Sequence, residues 1–411
     1  MTRPIVTDPI TGVKEMDADT NPVIEILGRR LRLAVIGGGP GSFIGAMHRT
    51  AARLDDRYEL VAGSLSSDPE RSKAAGVAIG LTPERAYGGG MDLLEKEADR
   101  EDGADVVAIM TPNDTHHRYA TAALRHGFDV ISDKPMTNTL DEAIDLLEQV
   151  RASGLIYCLT HNYTGYPLVR QARAMVADGQ LGEIRLVQVE YVQGGKADEN
   201  DPEPGEGMSW RYDPVRGGPS LVMGDIGTHA HNLLCYISGL QVAEVAAEVG
   251  TIAPNRLVHD YAGALLRLSN GARGSFWVTQ AAAGVENCLR IRVSGTKGTV
   301  EWMQEVPQVL TFKPLTGPVE VRTPNGPGTL PLAARASRIV AGHPEGFHEG
   351  FATTYSDAAE AIASRRAGQK PDPLALHFPN AEDGVRGVKF VEATVASSAA
   401  DGAWTSCELD L

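Results

Sequence analysis

Asp225 and His229 lie four positions apart in Gly224-Asp225-Ile226-Gly227-Thr228-His229-Ala230-His231, inside a stretch that predicts a helix from about residue 220 to 237. At that spacing the two side chains share one helix face and can converge on one ligand. Imidazole titrates near neutrality and suits removal of a proton from an alcohol. A buried structural histidine is the competing reading. A metal pair from His229 and His231 is disfavoured, because residues two apart on a helix point to different sides. The second reactive group is Lys134, in Asp133-Lys134-Pro135, directly after an apolar run ending at Ser132. Ligand sites of α/β enzymes sit at the carboxyl ends of parallel strands. A lysine there, flanked by an acid and stiffened by a proline, can hydrogen-bond a hydroxyl and stabilise negative charge developing on it. A solvated surface lysine is the alternative.

The third feature is backbone chemistry. The apolar run Leu31 to Ile36 enters Gly37-Gly38-Gly39-Pro40-Gly41-Ser42-Phe43-Ile44-Gly45. Glycines between a strand and a helix let the chain turn tightly and approach a pyrophosphate, whose charge then sits at the positive helix N-terminus. Five glycines in such a loop exceed what one tight turn needs. Dinucleotide folds usually place an acid about 20 residues further on, to hold the adenosine ribose. Counting from Gly45 reaches Ser66, in Ser64-Leu65-Ser66-Ser67-Asp68-Pro69, so the expected acid is missing. Asp68 could hold the ribose, or cap the helix that begins at Pro69. Arg71 and Lys73 are near enough in sequence to meet a 2′-phosphate, which leaves the choice between NAD and NADP open.

These groups need elements to carry them. Strand and helix patterns alternate: strands at Leu31–Ile36, Glu59–Ala62, Ala104–Met110, Asp129–Ser132 and Ile156–Thr160, and helices at Gly45–Leu54, Asp68–Ala75, Thr115–Arg125 and Leu140–Arg151. Such alternation means a parallel sheet covered on both faces. Beyond about residue 180, longer alternating segments predict a mostly antiparallel sheet: Ile184–Val192, Glu244–Thr251, Tyr261–Leu268, Ala272–Thr279, Leu289–Ser294 and Thr299–Met303. Gly194–Gly207 and Pro314–Pro331 read as irregular loops, and Glu345–Arg366 and Ala381–Ser397 as closing helices. The fold class is therefore α/β, a doubly wound Rossmann sheet plus a second α/β domain with a large open sheet. The expected division is an arm at 1–29, a dinucleotide-binding domain at 30–160, a substrate and oligomerisation domain at 161–398 and a tail at 399–411. The closing helices can pack back on the first domain.

Composition narrows the partners. The chain has 411 residues, 42% hydrophobic, with 38 Lys plus Arg against 53 Asp plus Glu, a net charge of −15. That length suits two domains, and acidity without a basic block argues against nucleic acid and anionic membranes. Cys158, Cys235, Cys288 and Cys407 are far apart and form no C-x-x-C pair, so neither a disulfide framework nor a zinc cluster is indicated and a reducing cytoplasm fits. No apolar run is long enough to span a membrane. Arg29-Arg30 before Leu31–Ile36 superficially resembles a twin-arginine export signal, but the run is short, ends in glycines and reads better as a first buried strand.

The ordered motifs together resemble the glucose-fructose oxidoreductase and inositol dehydrogenase family, Gfo/Idh/MocA, from Leu31 to roughly Ser398. They are the glycine loop ending in Gly45-x-x-His48, Thr111-Pro112-Asn113 with His116, and Asp133-Lys134-Pro135 where the family usually has Glu-Lys-Pro. Asn162-Tyr163 with Pro167, Gly179-x-Leu181-Gly182, Asp225-x-x-x-His229, Gly295-x-x-Gly298 and Asp383-Gly384 follow. The resemblance implies that Lys134 is the catalytic lysine, Asp225 the substrate-binding acid and His229 the general acid or base. It implies cofactor contacts from Gly37, Gly39, Ser42, Phe43, Ile44, Gly45, Ser66, Asp68, Thr111, Pro112, Asn113, His116, Asp133 and Lys134. Candidates for recognising substrate are Lys134, Tyr163, Trp210, Arg211, Asp225, His229 and His343. Two departures concern the nucleotide: the last glycine stands six rather than three positions after Gly39, and Ser66 replaces the ribose acid.

The implied reaction is reversible oxidation of a secondary hydroxyl on a sugar, glycoside or cyclic polyol, with NAD preferred and NADP possible, in a cytoplasmic homodimer or homotetramer formed through the second sheet. No metal is expected. One rival is transient oxidation by tightly held NAD that labilises a glycosidic bond. The other is a non-catalytic dinucleotide or sugar sensor, against which the joint presence of Lys134, Asp225 and His229 argues.

Overall fold

Continuous apolar runs and alternating ones sort the strands into two different sheets. The computed structural model describes residues 20–197 and 210–411. They form two compact units, one of Asp19–Asn162 with Phe351–Val385, the other of Tyr163–Gly350 with Arg386–Leu411. The first unit holds β1 (Leu31–Gly37), β2 (Tyr58–Ser64), β3 (Val106–Met110), β4 (Asp129–Ser132) and β5 (Tyr157–Leu159). All four pairings are parallel, in the order β2-β1-β3-β4-β5. Every residue of β3 and β4 is buried, which is why β3 reads as an unbroken apolar run and β4 as an apolar pair between Asp129 and Ser132. Chain order reverses between β1 and β3, where Gly37 pairs with Met110. Ligands of such sheets collect at this switch point, outside the strands' carboxyl ends. The glycine loop and Thr111 leave from there side by side.

At the opposite edge of that sheet, charge is buried in pairs. Asp105, just before β3, accepts from the Arg32 N–H and pairs with Arg29 at 2.5 Å and Arg366 at 2.7 Å, while Asp129 pairs with Arg365 at 2.7 Å. Arg365 and Arg366 end the helix Phe347–Arg366, where cations also suit the helix dipole.

The second unit holds β6 (Ile184–Val192), β7 (Val242–Gly250), β8 (Tyr261–Leu268), β9 (Arg273–Thr279), β10 (Cys288–Gly295), β11 (Gly298–Met303), β12 (Leu310–Pro314), β13 (Glu320–Arg322) and β14 (Thr405–Ser406). Their order is β13-β12-β11-β10-β6-β9-β8-β7-β14, and only β6 and β9 pair parallel. Burial alternates along β8 and β11. One face carries Val187, Val189, Phe276, Val278 and Ile291 into a core shared with Leu233 and Leu234 of the helix Thr228–Ser238. The other leaves Leu186, Leu265 and Trp277 exposed.

Several features differ from the sequence reading, among them the helices Pro167–Ala177 and Pro331–Ala336 and the strands β12 and β14, none of which it gives. Pro22–Leu27, inside the expected arm, is a short helix capped by Asn21, whereas residues 1–19 lie outside the described residues. Gly90–Ala98 is a helix that was not expected, because its N-terminal glycines argue against one. Pro314–Pro331 contains β13. The helix expected over 220–237 is interrupted by a π-helical turn at Met223–Gly227, in which the Thr228 N–H reaches back five residues to the Met223 carbonyl. Of the Gly194–Gly207 loop, residues 198–207 lie outside the described residues.

Candidate active site

The nucleotide half is shaped by what a side chain could not fit. Gly37, Gly38 and Gly41 have φ of 86°, 66° and 84°, a region that L side chains rarely adopt. A Cβ on Gly37 would stand 2.5 Å from the Met110 carbonyl oxygen. One on Gly39 would strike the Leu65 carbonyl, and one on Gly45 the Gly38 carbonyl. Ser42 caps the helix Phe43–Leu54, its hydroxyl accepting from the Gly45 N–H at 3.1 Å. Gly45 thus sits in the first turn and packs on Gly38. The longer spacing is absorbed by the exposed Pro40-Gly41 turn, and the close helix-to-loop contact is kept. The glycine cradle fits a pyrophosphate. Phe43 is exposed and Ile44 half-buried beside it.

Side chains near this loop act mostly as braces. Ser66 accepts from the Asp68 N–H at 3.2 Å, and Asp68 accepts from the Arg71 N–H at 2.8 Å, so Asp68 caps the helix Pro69–Ala78. Asn113 begins a short helical turn after Pro112. Buried His116 bridges two segments, with Nδ1 2.7 Å from the Pro135 carbonyl and Nε2 2.9 Å from the Thr111 carbonyl. Asp133 accepts from the Lys134 N–H at 2.9 Å and from the Thr160 hydroxyl at 3.1 Å, which fixes the backbone that presents half-buried Lys134. His48 is internal: its Nδ1 lies 2.7 Å from the Tyr355 hydroxyl, and burial pulls it from the usual histidine range to about 4, so it stays neutral.

A separate cluster of candidate side chains lies on and just after the π turn and on the sheet of the second unit. Asp225 accepts from Gln280 Nε2 at 2.8 Å. The His229 ring is nearly buried, with its centroid 5.0 Å from that of Tyr163 and 6.4 Å from that of Tyr191. The Tyr163 and Tyr191 hydroxyls are 2.6 Å apart, and Tyr191 donates to Asn287 Oδ1 at 2.9 Å. Tyr191 therefore accepts from Tyr163, and the Tyr163 hydroxyl is engaged inside the unit. His231 points elsewhere, stacked on Phe390 at 4.5 Å with Nε2 3.6 Å from Cys235 Sγ. Burial pulls its pKa down to about 3. Trp210 and Arg211 start a short helical turn, the guanidinium lying 4.5 Å over the indole. His343 is exposed, with Nδ1 3.3 Å from the Val340 carbonyl. Phe347, not His343, packs near Tyr163. Among the described residues no group of three or more His, Cys, Asp or Glu is placed to hold a metal.

Two family models match this geometry in order: an oxidoreductase family with an NAD-binding Rossmann fold over residues 31–161, and a Gfo/Idh/MocA C-terminal domain over residues 169–301. An uncharacterised oxidoreductase of Bacillus subtilis, YfiI, is 32% identical over 385 residues, covering 92% of this chain and 97% of that protein. The chain belongs to the Gfo/Idh/MocA oxidoreductase family.

Solved structures of other proteins superpose along most of this chain. An oxidoreductase from Sinorhizobium meliloti superposes with a TM-score of 0.82 at 44% identity, over 92% of this chain and 100% of that one. An inositol dehydrogenase homologue from Azotobacter vinelandii, complexed with NADH and myo-inositol, superposes with a TM-score of 0.84 at 35% identity, over 93% and 98%. The parallel-sheet unit is thus the family's NAD-binding domain. Sequence reading missed Gln193, Gln280, Asn287 and Tyr191 of the second unit. Each stands at or just beyond a strand end, where alternation gives no special signal.

Proposed function

We propose that this oxidoreductase is an NAD-dependent dehydrogenase of neutral polyhydroxy compounds, acting reversibly on a secondary hydroxyl of a sugar, glycoside or cyclic polyol. The observation that carries this reading is the pair of Asp225 on the π turn and His229 just past its end, the carboxylate held by an amide and the imidazole seated against Tyr163. π turns inside helices recur at functional sites. In this reading His229 takes the hydroxyl proton, Lys134 steadies the oxygen as charge develops on it, and Asp225 accepts a hydrogen bond from a neighbouring hydroxyl. NAD, when bound along the Gly37–Gly45 cradle, supplies the hydride acceptor. The solved relative bound to NADH and myo-inositol supports the substrate class.

The test is a cofactor-reduction screen over aldoses, inositols, anhydrosugars and glycosides with NAD and with NADP. Stoichiometric reduction of NAD by at least one of them is expected, and no reduction by any would overturn the reading. We also propose a homodimer or homotetramer built on the sheet face that exposes Leu186, Leu265 and Trp277, and Trp277→Asp should shift sedimentation towards monomer. The compartment we propose is the cytoplasm. The four cysteines are free thiols, and no helix among the described residues is long and apolar enough to cross a membrane.

A further inference from the structure

Gln280 follows the last residue of β9, and its backbone is fixed on both sides: its N–H donates to the Asp260 carbonyl at 3.0 Å, and its carbonyl accepts from the Lys196 N–H at 3.1 Å. The side chain is buried. Its Oε1 accepts from Lys196 Nζ at 3.1 Å, while Nε2 donates to Asp225 Oδ2 at 2.8 Å and faces Gln193 Oε1 at 3.3 Å. Charge dictates this orientation. A flipped amide would set its carbonyl against the Asp225 carboxylate and its NH2 against the Lys196 ammonium, losing both bonds. The line of bonds continues from Gln193 Nε2 to Asn287 Oδ1 at 2.6 Å, and that oxygen also accepts from Tyr191, the partner of Tyr163. A half-buried hydrogen-bonded line therefore runs from Asp225 to the tyrosine pair against which His229 rests.

We infer that Gln280 is the positioning residue for Asp225, and that through Gln193 and Asn287 it fixes Asp225 relative to His229. The inference rests on the dehydrogenase reading. A carboxylate on a π turn has several rotamers open to it, and a buried amide donor on one oxygen selects one of them. Removing that donor leaves Asp225 present but misdirected, so the loss falls on the substrate and not on the cofactor.

A double-mutant cycle tests it, using the polyol or sugar that reduces NAD fastest in the screen. Gln280→Leu should raise KM for that substrate about ten- to a hundredfold, the range for a lost hydrogen bond to a charged group, with the NAD dissociation constant unchanged. Asp225→Asn should also be impaired. The double variant should be no worse than Asp225→Asn alone, because residues acting through one another are not additive. Gln280→Met keeps the length of the side chain but donates nothing to Asp225. It should match Gln280→Leu, and it carries the test if Gln280→Leu does not fold. NAD titration and thermal unfolding report folding for each protein. Full additivity, or a folded Gln280 variant with wild-type KM, overturns the inference while the dehydrogenase reading stands. If Asp225→Asn has no effect, the role given to Asp225 falls and the inference with it.

Discussion

The groups that would meet a nucleotide in the parallel-sheet unit are mostly backbone, whereas those that would meet a substrate in the mixed-sheet unit are side chains. In the first, Gly37, Gly39 and Gly45 keep a surface free of Cβ atoms, and Asp68, His116 and Asp133 brace the chain around it. In the second, Asp225 and His229 are held by Gln280, Tyr163 and partners from three strands. A backbone site is robust to most substitutions and fails abruptly at its glycines. A site of linked side chains degrades wherever a link is cut. Lys134 is the exception, a side chain in the backbone-built half.

The sharpest way to separate the halves is His229→Ala. Turnover should fall by roughly a hundred- to ten-thousandfold, as for loss of a general base, with cofactor affinity intact. Lys134→Met should also lose turnover, by about a hundredfold or more, through lost stabilisation of the alkoxide. Steady-state kinetics over a pH series, beside NAD titrations, give both results. A His229→Ala enzyme at near wild-type rate would remove the imidazole from the chemistry.

Gly45→Val should do the reverse. A branched side chain against the Gly38 carbonyl forces helix and loop apart, at about 1–3 kcal/mol for overpacking, and calorimetric titration should show NAD bound about tenfold more weakly or worse. A folded variant with unchanged affinity would sink the assignment of the cradle.

The units are alike in one respect, for each buries a neutral histidine. Burial pulls His48 from an ordinary value near 6.5 to about 4, and His231 to about 3. Both folded values lie below the unfolded one, so the unfolded chain binds more protons as pH falls. The stabilisation is complete above about pH 6.5 and is lost between there and about pH 4 for His48 and about pH 3 for His231, at up to about 1.4 kcal/mol per pH unit for each histidine. Denaturant melts across that window should show a shallower slope for His231→Phe, and an unaltered slope would mean that His231 is not buried in the neutral form.

The smallest effect expected is at Ser66→Asp. An acid past β2 should lower the NADP to NAD efficiency ratio about severalfold by repelling the 2′-phosphate. An unchanged ratio would show that Ser66 does not neighbour the ribose.

This contrast also explains what could be read from the chain. Backbone sites write themselves in glycines, and strand positions in apolar periodicity, so the two sheets and the Gly37–Gly45 loop were legible. Asp225 and His229 were legible because both lie within one turn. Gln280 was not, since it stands 55 positions from the carboxylate it holds and reaches it only where the π turn packs beside the end of β9. The π turn was hidden because it stands at the start of the helix, with too few residues before it for a shift in the apolar pattern to show, and the Thr228 to Met223 bond reveals it. His116 was expected to touch the cofactor, and nothing in its spacing announced that both ring nitrogens would lie against backbone carbonyls.

The two-residue strand β14 has a consequence for handling the protein. It lies along β7 at the rim of the nine-stranded sheet, with the Cys407 N–H donating to the Ala243 carbonyl at 2.8 Å. Without it, β7 would present unpaired amides and carbonyls over a stretch that already carries Val245, Ala246 and Ala247. Such a rim is a template on which another polypeptide can add a strand. Thr405–Ser406 therefore act as a stopper, and trimming the chain just before them would be felt as precipitation on storage long before it was felt as lost catalysis.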